Sequence, residues 1–311
     1  MGRTVGAHGQ PFASNGGEPP PKKYCVSGHP GKGTAIPDDF ARGLSMMQTS
    51  LGIPLWLLVQ NGENYDTLDD EAGRSFWNSR AEFTKGEKIA LIIDSPGGYA
   101  KCAYRIARFL KKHCGGFIAV VPETAKSAAT LLVLGADKII LGLNAELGPL
   151  DVQLYDRERE EYGSALNEVQ ALDRLNAFAL QAIDSAMQFT SRRSGLTMKT
   201  LLPGVQNFVA EMLRPLFEKI DTVHYTQSSR QLKVAEEYAT RLLRAKYGKA
   251  ASEIARKLVH GYPEHAFFID AEEANSIDLE TVDADADQQT AMDLMAESLK
   301  TDSFVGKFQE I

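Results

Sequence analysis

The feature that most restricts what this chain can fold into lies between Lys88 and Leu110. The segment Lys88 to Asp94, unbroken in its apolar character from Ile89 to Ile93, passes straight into Ser95-Pro96-Gly97-Gly98, and Ala103, Ile106, Ala107 and Leu110 then recur at helical spacing. Arg105, Arg108, Lys111 and Lys112 fall on the opposite helical face. A short run without polar alternation reads as a strand buried on both sides, so the unit is strand, glycine turn and amphipathic helix. The pattern repeats. Pro54 to Val59 reads as an earlier buried strand, Phe117 to Val121 as a third, Ser127 to Gly135 as a short, almost wholly apolar helix, and Lys138 to Leu141 as a fourth strand. Repeated β-α-β units of this length imply right-handed crossovers and a mainly parallel sheet covered by helices.

After Asp151 the texture changes to long helical stretches, roughly 158–190, 205–225 and 229–247, the last closed by Gly248. Before the first strand, residues 1–36 hold eight glycines and five prolines with few large apolar side chains, which predicts a disordered arm. Within it Gly28 to Thr34 resembles a phosphate loop only superficially, since Lys32 is followed by glycine and no strand precedes it. From Asp270 onward there are twelve acidic residues and two lysines, against a net charge of -7 for all 311 residues. The expected organisation is therefore an arm at 1–36, an α/β core at 37–156, a helical extension at 157–282, and an acidic, solvated and frayed tail at 283–311.

Composition removes several classes of function. The longest apolar stretch, Ile53 to Val59, is far below the ~20 residues that cross a bilayer, and no signal peptide is visible, so no membrane association is expected. Cys25, Cys102 and Cys114 cannot all pair within the chain and none has zinc-ligand spacing, which points to a reducing cytoplasm and to no metal. No basic stripe stands out, so nucleic acid is not an expected partner.

Three segments could carry chemistry. Asp94-Ser-Pro-Gly-Gly98 leaves backbone N–H groups at the start of a helix, where they can hold an oxyanion or simply make a tight turn. Gly97 is expected to serve the turn and Gly98 to border the anion. Lys126-Ser-Ala-Ala-Thr130 opens an apolar helix with Ser127, which suits either a helix cap or a nucleophile with the N–H of Ala128 beside it. Glu146-Leu-Gly-Pro-Leu-Asp151 ends a constrained loop with an acid. Of the six histidines, His8 and His29 lie in the arm and His113 at a basic helix end, which leaves His224, His260 and His265 as candidate general bases.

Taken together, Asp94 to Gly98, Val121 to Leu131, Gly135-Ala-Asp137 and Glu146 to Gln153 resemble the serine dehydrogenase proteinase family, distant relatives of Clp protease and signal peptide peptidase A in the ClpP/crotonase fold. A second patch, Tyr262-Pro-Glu-His265 to Glu272-Glu273-Ala274, is similar to the family's C-terminal histidine segment. The resemblance implies a soluble serine endopeptidase with a Ser127, Asp151, His265 triad and an acyl-enzyme, an oxyanion hole at Gly98 and Ala128, and His260 as the alternative base. Val152 stands where the family's Gly-Pro-x-Asp-Pro-Gln element has proline. It further implies no cofactor and no requirement for ATP, peptide or protein substrates, and a homo-oligomer, with an adaptor or ATPase that delivers clients left open. Two other readings compete: a catalytically silent scaffold or binding protein on the same fold, and a crotonase-like acyl-CoA enzyme, which would not require Ser127. A Ser-Lys dyad would need Lys126, which is adjacent to Ser127 and therefore expected to point elsewhere.

Overall fold

A computed structural model describes residues 24–27, 34–61, 67–156 and 161–310. The chain runs through β1 (Tyr24–Ser27), β2 (Thr34–Ala35), α1 (Asp38–Leu51), β3 (Leu55–Gln60), α2 (Asp70–Asn78), β4 (Ile89–Asp94), α3 (Ala100–His113) and β5 (Phe117–Val121). There follow β6 (Thr124–Ala125), α4 (Ala128–Val133), β7 (Lys138–Leu141), β8 (Glu146–Leu147), β9 (Gln153–Asp156) and β10 (Glu161–Ser164). The helical extension is α5 (Ala165–Ser194), α6 (Met198–Phe217), α7 (Thr222–Tyr247) and α8 (Ala251–His260), after which come α9 (Ala271–Ser276), β11 (Val282–Asp283), α10 (Ala286–Thr301) and β12 (Ser303–Glu310).

Among the described residues the central sheet has the order β11-β7-β5-β4-β3-β12-β1-β2. The five strands from β11 to β3 are parallel, and β12, β1 and β2 add on antiparallel. Every residue of β3 and β4 is buried, as their unbroken apolar sequence requires. Alternate side chains feed two cores. Trp56, Leu58, Leu91 and Ile93 pack beneath α2, α3, α4 and the end of α7. Leu55, Leu57, Val59 and Ile92 meet α1 and α10 on the other side. The mainly parallel α/β sheet and the helical extension expected from the sequence are both present.

Two expectations about the ends require correction. The segment expected at 283–311 as a frayed acidic tail is instead folded from Asp283 to Glu310, because α10 and β12 lie within the fold and β12 sits inside the sheet between β3 and β1. Charge and burial separate cleanly along α10. Ala291, Met292, Met295 and Leu299 are buried against α1 and the sheet, while the acid Asp287 is exposed. Phe304, Val305 and Phe308 anchor β12. Part of the arm is likewise structured: Tyr24–Ser27 pairs with β12, and Cys25 and Val26 are buried. Residues 1–23 and 28–33, which include most of the glycine-rich segment after Ser27, lie outside the described residues. Among the described residues no helix is long and apolar enough to cross a membrane.

Candidate active site

Two turns leave the carboxyl ends of neighbouring parallel strands and are held side by side. After β4, Ser95 continues the ladder by a bridge to Ala125: the Ser95 N–H donates to the Thr124 carbonyl at 2.9 Å, and the Lys126 N–H to the Ser95 carbonyl at 3.0 Å. The glycine turn is braced from within, because Ser95 Oγ donates to Gln60 Oε1 at 2.8 Å and accepts the Gly97 N–H at 3.1 Å. All three of Gln60, Asp94 and Ser95 are buried. Asp94 accepts the Thr124 N–H at 3.0 Å and an Asn61 amide hydrogen at 2.5 Å. Burial nevertheless dominates and pushes its carboxyl up to about 6.

The backbone of the turn leaves one donor unused. Leu68 donates to the Gly97 carbonyl and accepts from the Tyr99 N–H, which in a parallel bridge turns the Gly98 N–H to the opposite side. Among the described residues the N–H groups of Gly98 and Ala128 have no acceptor. The turn constrains both glycines. Both have positive φ, 104° at Gly97 and 149° at Gly98. A Cβ on Gly98 would fall 2.5 Å from the Leu68 nitrogen, whereas one on Gly97 would lie 2.6 Å from the Lys126 carbonyl and 3.0 Å from Ser127 Cβ. Gly97 is thus the closer neighbour of the serine, and Gly98 is needed for its approach to Leu68.

Ser127 itself has φ 49° and ψ -116°, one of two non-glycine residues with positive φ among the described residues. Its side chain makes no capping bond to α4, so the helix-cap role is not the one it fills. A strained residue at a strand-to-helix turn, with its side chain uncommitted, is the arrangement in which a hydroxyl is presented to a ligand. The strain is held by its surroundings. Thr130 Oγ1 donates to the Ala125 carbonyl at 2.6 Å and accepts the Gly148 N–H at 3.0 Å, and Lys126 Nζ lies 2.7 Å from Glu146 Oε2. That ion pair engages Lys126 and leaves no lysine dyad with Ser127.

His265 reaches the site from the far side of the helical extension. Leu150 donates to the Leu258 carbonyl at 2.8 Å, and Leu147 and Ile269 form an antiparallel bridge, so the loop after α8 is pinned to the segment that carries Asp151. His265 Nδ1 lies 2.5 Å from Asp151 Oδ1. The other carboxylate oxygen accepts Ser164 Oγ–H at 2.7 Å, and Ser164 also caps α5 by accepting the Leu166 N–H. The Asp151 side chain is buried and that of His265 is 31% exposed. The carbonyl of Val152, which stands in place of proline, accepts the Ala165 N–H at 2.8 Å, which ties the loop down.

Ser127, Ala128, Gly98 and His265 line one cleft of about 740 Å³, and Asp151 sits behind the histidine. Its walls are largely apolar, with Leu131, Leu150, Val152 and Leu154 on one side and Val234 of α7 on another. No hydrogen bond joins Ser127 Oγ to His265 among the described residues. His260 faces away, with Nε2 3.6 Å from Glu236, and His224 pairs with Glu168 at 2.6 Å. Sequence reasoning did not single out Ser164, Gln60 or Asn61. Only Ser164 left a trace, as a cap residue ahead of a helical pattern.

Residues 50–173 match the family model described as ClpP-like SDH-type serine proteinase. An uncharacterized protein of Methanocaldococcus jannaschii is 30% identical over 219 residues, 70% of this chain and 61% of that protein. A second from the same organism is 33% identical over 106 residues, 34% of this chain and 33% of its own. The chain thus spans less than two thirds of the length of either relative. Among solved structures, a mutant of the membrane-bound stomatin-specific protease 1510-N in complex with a substrate peptide aligns over 76% of this chain and 78% of its own, at 14% identity and a TM-score of 0.41. A ClpP1 mutant from Listeria monocytogenes aligns over 78% and 99%, at 10% identity and a TM-score of 0.39. The similarity to the ClpP-like SDH-type serine proteinase family thus covers residues 50–173, the segment that holds Ser127 and Asp151.

Proposed function

We propose that this protein is a serine peptidase in which Ser127 is the nucleophile, His265 the general base and Asp151 the residue that orients it. The observation that carries the reading is the 2.5 Å contact between Asp151 Oδ1 and His265 Nδ1 in the cleft that also holds the strained Ser127. An ionised carboxylate only accepts, so Nδ1 bears the proton and Nε2 keeps its lone pair for the serine. Ser127 Oγ attacks the scissile carbonyl carbon as its proton passes to Nε2. The N–H groups of Gly98 and Ala128 meet the developing oxyanion. Collapse expels the amine with the proton from Nε2 and leaves an ester on Ser127, which water, deprotonated by the same nitrogen, then hydrolyses. The apolar walls favour peptide segments with apolar side chains.

Two parts of this reading extend past the cleft. The first is assembly: α5, α6 and the turn between them expose Phe178, Phe189, Leu196, Met198 and Phe208, more large apolar surface than an isolated chain usually carries, which supports a homo-oligomer. Light scattering at micromolar concentration tests it, and a clean monomer would remove it. The second is location. A cytoplasmic setting rests on the three cysteines, all buried and unpaired, and delivery by an adaptor or ATPase stays an open part of the proposal.

The missing Ser127–His265 hydrogen bond favours a second reading, a site that binds peptides without turnover. Catalytic hydrogen bonds are often long until substrate closes a cleft, so the peptidase reading takes this bond to form in the complex. A fluorophosphonate probe separates the two. Labelling of the wild-type chain, absent in Ser127→Ala and His265→Ala, is the expected result. An unlabelled wild-type protein, or undiminished peptide hydrolysis by Ser127→Ala, would end the assignment.

A further inference from the structure

A second cavity, of about 1010 Å³, lies between α3 and the carboxyl-terminal end of α7 and takes no part in the chemistry above. Four guanidinium groups, Arg105, Arg108, Arg241 and Arg244, line it together with Lys111 and Lys112. Few of these charges are neutralised. Arg105 pairs with Asp70 and Arg241 with Glu237, both at 2.8 Å, but among the described residues Arg108, Lys112 and Arg244 have no carboxylate within 4 Å. Lys111 is half-buried, the Leu242 carbonyl at 3.3 Å is its only hydrogen-bond acceptor among the described residues, and burial lowers its pKa. Complementing helix dipoles accounts for Lys111, Lys112 and Arg244, which lie in the last turns of α3 and α7. It does not account for Arg105, Arg108 and Arg241, which lie before them.

The guanidinium planes are also held in place. Arg105 lies over the Trp77 ring at 5.1 Å and Arg108 over Tyr104 at 5.8 Å, so aromatic faces fix two forks at the cavity wall before any ligand arrives. We propose that this cavity is a binding site for a ligand carrying several linked phosphate groups. Guanidinium forks match phosphate oxygens bidentately. The cavity has the dimensions of a small-molecule site, and the number of unpaired cations within it calls for several negative charges in a short span. A chain of phosphates supplies them, whereas an acidic peptide spreads one charge per residue.

The test is titration of the intact chain with inorganic tripolyphosphate, ATP and hexaglutamate at low salt, read by calorimetry and by the fluorescence of Trp77 in the cavity wall. Saturable tripolyphosphate binding is expected, weakened by about tenfold or more in Arg108→Gln/Arg244→Gln and unchanged in the charge-matched control Arg192→Gln/Arg193→Gln on α5. Arg108 and Arg244 are exposed, so an unchanged thermal midpoint will show that the variant is folded. Tighter binding of ATP assigns the site to a nucleotide; equal binding assigns it to free polyphosphate. No saturable binding, equal loss in both double variants, or hexaglutamate binding at least as tightly as tripolyphosphate overturns the proposal.

Discussion

Leu147 and Ile269 exchange both backbone hydrogen bonds, at 2.8 and 3.2 Å, and this bridge brings a histidine and an aspartate 114 positions apart into contact. In the proposed triad it selects His265, and not His260, as the base that serves Ser127. Replacing His265 with alanine is expected to lower peptide turnover by roughly three orders of magnitude or more. His260→Ala, which removes a side chain directed at Glu236, should leave turnover within about twofold. Steady-state kinetics on one peptide decides between them, and the reverse ranking would move the base to position 260.

Ser164 acts one step further out, through Asp151. Ser164→Ala removes a donor from Oδ2 and the cap of α5, so about 1 kcal/mol of stability should be lost. The rate constant kcat should fall by up to about tenfold with KM unchanged, since the residue positions the acid and does not touch substrate. Ser164→Thr keeps the hydroxyl and should restore both. A rise in KM alone would mean that the loop, and not the aspartate, had been disturbed.

The backbone at Ser127 makes an unusual forecast. A φ of 49° is unfavourable for any residue with a Cβ by about 1 kcal/mol, and the serine side chain returns no capping bond. Ser127→Gly should therefore raise the thermal midpoint slightly while abolishing hydrolysis, and Ser127→Ala should abolish hydrolysis without that gain. A glycine variant less stable than the wild type would show that the hydroxyl holds the turn.

Asp94 links the glycine turn to pH. Its folded pKa, about 6, lies above the ordinary 3.8, so the native state binds the proton more tightly than the unfolded chain does. Its contribution is full below about 3.8 and is lost as pH rises through about 6, a loss of about 3 kcal/mol by neutral pH. Thermal midpoints of the wild type and Asp94→Asn, measured from pH 4 to 8, should diverge over that interval, with the wild type losing ground as pH rises. Parallel curves would show that the two donors from Thr124 and Asn61 offset burial entirely.

Much of the scaffold could be read from the chain because burial on both faces leaves an unmistakable apolar run: β3, β4, β5 and β7 fall within a residue or so of their expected limits. Local chemistry also marked Ser127 and the Gly97-Gly98 turn as candidates. Spacing alone left three histidines open as bases, and the choice of His265 came through the resemblance, since nothing local in Tyr262 to Phe268 announces a bridge to Leu147. The polar network of Gln60, Ser95 and Asn61 was invisible for a similar reason: each is an ordinary residue at the end of a strand until the sheet stacks them. The acidic count from Asp270 misled outright. Net charge averages over both faces of α10, and it hid the buried positions Met292, Met295 and Leu299.

The place of β12 bears on how the protein is made. Asn61, at the end of β3, donates to the Leu299 carbonyl, 238 positions later, and β12 then covers the edge of β3 that faces away from β4. A ribosome that has just finished β3 must add nearly all the helices before that edge has a partner. For that interval a strand that is apolar from Leu55 to Val59 presents unpaired N–H and carbonyl groups, the condition that invites wrong partners. Nascent chains stalled before Ser303 should therefore recruit chaperones and stay protease-sensitive in the sheet, and those stalled beyond Glu310 should not; protection already complete at the shorter length would count against this order of assembly.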